Sequence, residues 1–425
     1  MTASDRRWYR RLHWQVLTAM VLGVATGAAF GEEAAVRIGW VGALFMELLR
    51  MVIIPLVMAS IISGVATAGG GSALGRLFSK TLGYILLSSG LAAIVGLIAV
   101  NLIRPGAGSD FAGAARAELP ELPAPNSVVG LLLDIVPENV VAAAAGADML
   151  AVIFFSIVFG AAIALLPDRT RTVLTDLFDA LFQTMMRLTA GIILFLPIGI
   201  YGLITAMVGT TGLEGFGALA LYAATILSGL AVHLLVLLPL LLVLLGGIRP
   251  ATHFRKMREP LLVAFSTGSS TATLPVTMAA VEKKAGVPNR IGSFVLPLGA
   301  TVNMDGTAVF ECVGAVFIAQ ALGFDLTVVQ QLIVVLTAVL ASIGAATVPS
   351  AGLVMIFIVL EAINLRGPEV DLLVGAMLAI DRPLDMCRTA VNVFSDSCGA
   401  ALIAQSEGAA AGGMPRRPVR PAAGA

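Results

Sequence analysis

Residues 381–396, DRPLDMCRTAVNVFSD, place ionisable side chains in the last strongly apolar region of the chain. Counted from Asp385, the residues Arg388, Thr389, Asn392 and Asp396 fall at i+3, i+4, i+7 and i+11, one face of an α-helix, and Asp381 extends that face one turn back. Arg388 offers a planar fork that binds a carboxylate bidentately, which a lysine would not. Read alone, it could also close an internal salt bridge to Asp385, one turn away. A second polar run, GATVNMDGTAVFE at 299–311, sets Asn303, Asp305, Thr307 and Glu311 in another apolar segment. Gly306 is expected to interrupt that helix. Carbonyls freed by such a break are hard oxygen ligands, and with the charge of Asp305 and Asp396 they suit a small alkali cation. A single Asn or Thr in such a segment reads more readily as interhelical glue. A lone buried aspartate costs at least about 2.5–3.5 kcal/mol at a helix centre, so Asp305 and Asp396 point to function.

The elements that hold these residues follow from composition. Of 425 residues 58% are hydrophobic and 12% charged, with mean hydropathy +0.97; a soluble domain carries about 25% charged residues. The chain is an integral membrane protein. A net charge of +0 argues against a nucleic-acid partner. Cys312, Cys387, Cys398 and three scattered histidines give neither a disulfide framework nor a zinc spacing. The first apolar stretch follows Arg6, Arg7, Arg10 and Arg11 and runs on through TGAAFGEE, which reads as a retained helix and not a cleaved signal.

At about 20 apolar residues per crossing, plain spans lie near 13–31, 38–66, 81–103, 149–166, 172–206, 215–247, 293–322 and 372–403, eight in all. Residues 104–148 are looser and rich in Ala, Pro and Gly, and 404–425 form a tail expected to be disordered. Two apolar regions remain. Each is broken in its middle by small hydroxyl residues, glycine and proline: STGSSTATLP (266–275) and SIGAATVPSAG (342–352).

Charge separates a kinked crossing from a hairpin. Arg249, Arg255, Lys256 and Arg258 precede the first broken region, and Lys283, Lys284 and Arg290 follow it. The positive-inside rule wants both clusters in the cytoplasm. The first region (about 258–287) and the second (about 327–362) are therefore expected to be re-entrant hairpins entering from opposite faces. Both termini then lie in the cytoplasm, with Arg37, Arg104, Arg116 and Arg366 outside. Irregular backbone at that depth must line protein or a watery cavity. Paired interrupted segments in corresponding halves are the sign of a transporter site built on an inverted repeat. An ion channel fits less well, since a pore needs selective groups open to both sides. An enzyme is not expected: Ser269 and Ser270 have no evident base, and His233 and His253 lie in or beside another span.

Four ordered motifs, STGSSTATLP, NMDGTA, ASIGAATVP and LDMCRTAVN, resemble the dicarboxylate/amino acid:cation symporter family, which includes the excitatory amino acid transporters and archaeal aspartate transporters. The likeness runs from about Leu12 to Gln405 and is closest after Ala264. It implies a plasma (inner) membrane homotrimer of eight transmembrane helices and two re-entrant hairpins, working as an elevator on a small-molecule substrate, with no resident cofactor. Residues 1–12 would be a cytoplasmic N-terminus, 13–80 scaffold helices 1–2, and 81–103 transport-domain helix 3. Scaffold helices 4–5 would occupy 104–206, and the rest of the transport domain 207–403.

The resemblance also assigns roles. Asp385 matches the position that holds a substrate amino group, and Arg388 the one that pairs with its side-chain carboxylate. Asn392 and Ser270 match contacts to the main-chain amino and carboxyl groups, with Ser269, Thr307, Val348 and Thr389 beside them in the substrate site. A carrier lacking Asp385 would suit C4-dicarboxylates, and one lacking Arg388 neutral amino acids; with both present, glutamate or aspartate is implied. Gly299, Asn303, Asn392 and Asp396 match one sodium site. Thr301, Ser342, Ile343 and Ala345 match a second. Asn303, Asp305, Ser88, Ser89 and the Ile85 carbonyl match a third. Glu311 matches a proton-carrying glutamate of the animal transporters, where sodium-only relatives have an amide; burial favours the protonated form of a carboxyl, the property a proton carrier needs. One departure stands out. The family's second arginine is replaced by Gly268 in the hairpin and by Met386 beside Asp385, which leaves the acidic side of the site with less positive charge to offset it.

Overall fold

The computed structural model of the chain describes residues 12–67, 72–108, 136–146, 148–212, 215–344 and 351–408. Among these the regular elements are helices, as lipid requires of a backbone it cannot hydrogen-bond. They are α1 (Leu12–Thr67), α2 (Ser72–Ile103), α3 (Val140–Ala145), α4 (Met149–Ala164), α5 (Asp168–Ile193), α6 (Leu196–Thr211), α7 (Gly215–Val232) and α8 (Leu238–Gly246). There follow α9 (Pro250–Thr267), α10 (Ser270–Ala280), α11 (Asn289–Val302), α12 (Asp305–Ala321), α13 (Val328–Gly344), α14 (Ala351–Ala362) and α15 (Pro368–Ser406). π-turns at His233–Leu237 and Val281–Ala285 join α7 to α8 and extend α10.

The run α1 is two helices, broken at Gly31, whose φ of 56° and ψ of −137° suit a residue without Cβ. Its arms lie along α6 in opposite directions. Gly23 faces Ile204 and Gly27 faces Val208, whereas past the break Gly39 faces Ala206 and Gly42 faces Leu203. The chain thus reverses between the stretches 13–31 and 38–66, as expected. The stretch 172–206 is not one straight crossing: α5 and α6 meet at a 55° bend. Pro197, near the start of α6, explains it, since its ring and missing N–H cannot continue the helix above. By length and composition, four described helical runs can cross a membrane, Trp14–Ala66, Arg76–Ile103, Gly217–Gly246 and Asn289–Ala321, with the bent pair α5–α6 as a fifth.

Both broken regions are helix pairs. In the first, α9 closes at Gly268 in the left-handed conformation (φ 61°), and α10 opens on Ser269, whose hydroxyl accepts from the Ala272 N–H at 3.2 Å. Lys284 donates to Glu259 at 2.6 Å, so the chain returns to where it entered. This pair starts at Pro250, earlier than the expected 258. In the second, α13 and α14 fall inside the expected 327–362; its tip, 345–350, lies outside the described residues, as do most of 104–148 and 409–425, whereas the start of the tail expected from 404 is helical, because α15 continues to Ser406. At the centre is α12. Every one of its 17 residues is buried, among α2, α7, α13, α14 and α15.

Candidate functional site

The polar face of α15 meets the junction of α11 and α12. That junction falls at Asn303 and Met304, whose backbones leave the helical region (φ −93°, ψ 89° and φ −118°, ψ 61°), and not at Gly306 as the sequence suggested. Gly306 sits in the first turn of α12 and does a different job. A Cβ there would come within 2.8 Å of the Arg388 carbonyl oxygen; without one, its N–H donates to Asn392 Oδ1 at 2.7 Å. The residue joins α12 to α15.

Beside the break, Asp305 is fully buried and accepts four hydrogen bonds. Ser88 and Ser89 of α2 donate to Oδ1 at 3.1 and 2.7 Å; Ser395 and His233 Nε2 lie 2.6 and 2.9 Å from Oδ2. Ser88 also reaches Asn303 Oδ1 and the Ile85 carbonyl, both at 3.3 Å. Asn303 in turn donates to Asp396 Oδ1 at 2.9 Å, where Gly299 leaves room: a Cβ on it would stand 2.5 Å from that oxygen. The fold therefore gathers Ile85, Ser88, Ser89, Asn303 and Asp305 into one oxygen-rich cluster, and Gly299, Asn303 and Asp396 into a second that shares Asn303. The Asn392 side chain lies one α15 turn before Asp396, with its oxygen used by Gly306. Of the set Thr301, Ser342, Ile343 and Ala345, the first three lie on α11 and α13, which pack against each other. Thr301 donates back to Leu298 at 3.0 Å and Ser342 to Val339 at 2.8 Å, Ile343 lies in the last turn of α13, and Ala345 lies outside the described residues.

One to three turns back along α15, Arg388 is 1% exposed and lies 3.9 Å from the Phe310 ring centroid. Its Nη2 donates to Asp381 at 2.9 Å and to Asp385 at 3.1 Å, so the internal salt bridge is present. Among the described residues, that bridge leaves Nη1 and Nε without hydrogen-bond partners. Nη1 faces the start of α14, where a Cβ on Gly352 would come within 2.8 Å of it. A buried guanidinium with two unspent nitrogens is poised for an acceptor. Thr389 donates to the Asp385 carbonyl at 2.8 Å; Thr307, Asn392 and Ser270 are buried, Ser269 caps α10, and Val348 lies outside the described residues. Glu311 is fully buried, and among the described residues neither carboxyl oxygen has a hydrogen-bond partner.

The sequence pattern of the sodium:dicarboxylate symporter family matches residues 12–406. The chain belongs to this family. Relatives include excitatory amino acid transporter 3 of Mus musculus, 34% identical over 95% of this chain and 87% of the relative. The proton/glutamate-aspartate symporter of Escherichia coli (strain K12) is 32% identical over 93% of each chain. The proton/sodium-glutamate symport protein of Bacillus caldotenax is 32% identical over 93% of this chain and 94% of the relative.

Within this symporter family member the structure corrects the expectation of a charge-poor acidic side. A second arginine is present, at a position between the two where it was sought. Arg382 Nη1 donates to Asp385 Oδ2 at 2.9 Å and Nη2 to the Thr267 carbonyl at 3.0 Å. Its guanidinium occupies the space over Gly268, where a Cβ would meet Nη1 at 2.7 Å. Asp385 is thus gripped by two arginines, and Asp381, Asp385, Arg382 and Arg388 balance in formal charge. Sequence reasoning also passed over His233 and Ser395. An ionisable residue within an apolar span was the available signal for His233; Ser395, one residue before Asp396, gave none.

Proposed function

We propose that this family member is a secondary active symporter for acidic amino acids, glutamate or aspartate, driven by sodium and by a proton carried on Glu311. The observation that carries the substrate is Arg388: buried, adjacent to Asp385, with Nη1 and Nε unspent and facing the second hairpin. A substrate carboxylate would satisfy the fork, while its ammonium would take Asp385. In this reading Gly299, Asn303, Asn392 and Asp396 receive one sodium, Ile85, Ser88, Ser89, Asn303 and Asp305 another, and Thr301, Ser342, Ile343 and Ala345 form a further site. Among the described residues Glu311 has no hydrogen-bond partner, which suits a group that must lose its charge before the site crosses lipid.

The scaffold of this proposal is α1 and α3 to α6. The mobile part is α2 with α7 to α15, moving as an elevator within a homotrimer in the plasma membrane with both termini cytoplasmic. Arg50 of α1 pairs with Asp371 of α15, so one ion pair would have to part in each cycle. The decisive experiment is labelled aspartate uptake into proteoliposomes under separate sodium and proton gradients. Uptake driven by sodium and accelerated by an inward proton gradient is expected. Sodium-independent uptake, or transport of succinate in preference to aspartate, would overturn the assignment.

A further inference from the structure

Arg382 carries more than compensating charge. Its two terminal nitrogens are spent on different elements: Nη1 on Asp385 Oδ2 of α15 at 2.9 Å, and Nη2 on the last carbonyl of α9, Thr267, at 3.0 Å. The final carbonyls of a helix lack intrahelical donors and sit at the negative end of its dipole, so a cation is well placed there. Gly268 makes the approach possible in two ways. Its φ of 61° turns the chain out of α9, and its missing Cβ leaves the space the guanidinium fills. The first hairpin is thereby tied at its tip to the carboxylate proposed to hold the substrate ammonium.

We infer that Arg382 is a positioning residue that couples the tip of the first hairpin to the occupancy of Asp385. Arg382 and Arg388 share the Asp385 carboxylate. A substrate ammonium that takes Oδ2 removes the anionic anchor of Arg382, leaving it only a neutral carbonyl. The tip is then free to part from α15. This rests on the reading of Asp385 as the ammonium ligand.

The test follows the tip directly. Thr273 is fully buried with its hydroxyl 3.4 Å from that of Thr267, and Cys312 and Cys398 are buried. Thr273→Cys is introduced into full-length protein carrying Cys387→Ser, and its reaction with a maleimide is timed with and without aspartate and sodium. Labelling should accelerate about tenfold when aspartate binds, the change expected for loss of one charge-assisted hydrogen bond. Arg382→Gln should label fast in both conditions. Arg382→Lys should not restore the slow rate, because an ammonium is a point charge that cannot span both acceptors. Slow labelling of the empty Arg382→Gln protein, or full rescue by lysine, overturns the inference. A thermal-melting cycle guards against misfolding: the backbone strain of Gly268→Ala is common to both backgrounds, so its penalty should be smaller in Arg382→Gln. An equal penalty places Arg382 away from the tip and also overturns it. Asp385→Asn separates this from the underlying reading. If that variant binds aspartate normally, the substrate assignment falls; if it loses binding while Arg382→Gln leaves the tip unchanged, only the coupling falls.

Discussion

Gly299→Ala perturbs the proposed cation cluster by a single methyl group. The new Cβ would stand 2.5 Å from Asp396 Oδ1 and 2.9 Å from its Cγ, where ordinary contact begins at 3.4 Å. The carboxylate must retreat by about 0.9 Å, the gap between the first and last of those distances. A hard-cation shell tolerates about 0.2 Å of ligand displacement. The same retreat pulls Asp396 from Asn303, which now donates to it at 2.9 Å. We expect the sodium concentration needed for half-maximal aspartate binding to rise at least tenfold, about 1.4 kcal/mol, with a stability loss of about 1–3 kcal/mol from overpacking. Gly292→Ala, two turns earlier on α11, is the control. Its Cβ would meet nothing nearer than Leu296 Cδ1 at 4.0 Å, so sodium dependence should not change, and helix stability should rise by about 0.5–1 kcal/mol. Calorimetric titration of aspartate at stepped sodium concentrations in detergent reads both variants. Unchanged sodium dependence in Gly299→Ala, with the protein still folded, would refute the placing of a cation at Asp396.

Four further outcomes are expected. Arg388→Cys should lower aspartate affinity by about 2–5 kcal/mol, because it leaves a buried substrate carboxylate without its cation; calorimetry showing undiminished affinity would remove its assigned role. Glu311→Gln should keep aspartate binding and sodium dependence but lose acceleration by an inward proton gradient in vesicles, and an equal response in both proteins would mean a sodium-only carrier. Cysteines at Arg255 and Lys284 should both react with a reagent confined to the cytoplasmic face, and labelling from opposite faces would dismantle the first hairpin. At the end of α15, hydrogen bonds from Lys80 and then Arg76 hold the Glu407 carboxyl below the usual carboxylate range. The stability this gives is complete above that range and is lost as pH falls through the lowered value. Melting temperatures between about pH 7 and pH 3 should therefore fall less steeply for Glu407→Gln, and parallel curves would show that the pair contributes nothing.

The part of the site on one helix was the most legible. The spacing of Asp385, Arg388, Asn392 and Asp396 could be read because period 3.6 places them on one face whatever surrounds them. The first helix pair was readable from Gly268 and the flanking basic residues, since backbone breaks and charge sidedness are local signals. The helix break at Asn303 was misplaced to Gly306, because a glycine can serve close packing as well as it serves a turn, and only the neighbour decides. Here that neighbour is Arg388. His233 lies 72 residues from Asp305 and reaches it from a π-turn, which no periodicity marks. Arg382 was hidden by the opposite problem. It lies one turn from Asp385 in plain view, but its second partner, Thr267, is 115 residues away.

The complete burial of α12 bears on how the chain is made. Of the four long runs, Asn289–Ala321 is the least apolar and the most enclosed, since no face of α12 has to satisfy lipid. A segment carrying Asn303, Asp305 and Glu311 partitions poorly into bilayer by itself, because each charge opposes insertion. Its entry depends on partners that are already waiting: Ser88 and Ser89 on α2 and His233 after α7 are all synthesised before it. Gly217–Gly246 should insert alone as an isolated segment at the translocon, and Asn289–Ala321 only when the preceding chain is present. Assembly of this core is thus ordered by synthesis: α12 enters against Ser88, Ser89 and His233, and the cluster is completed only when α15 brings Ser395 and Asp396.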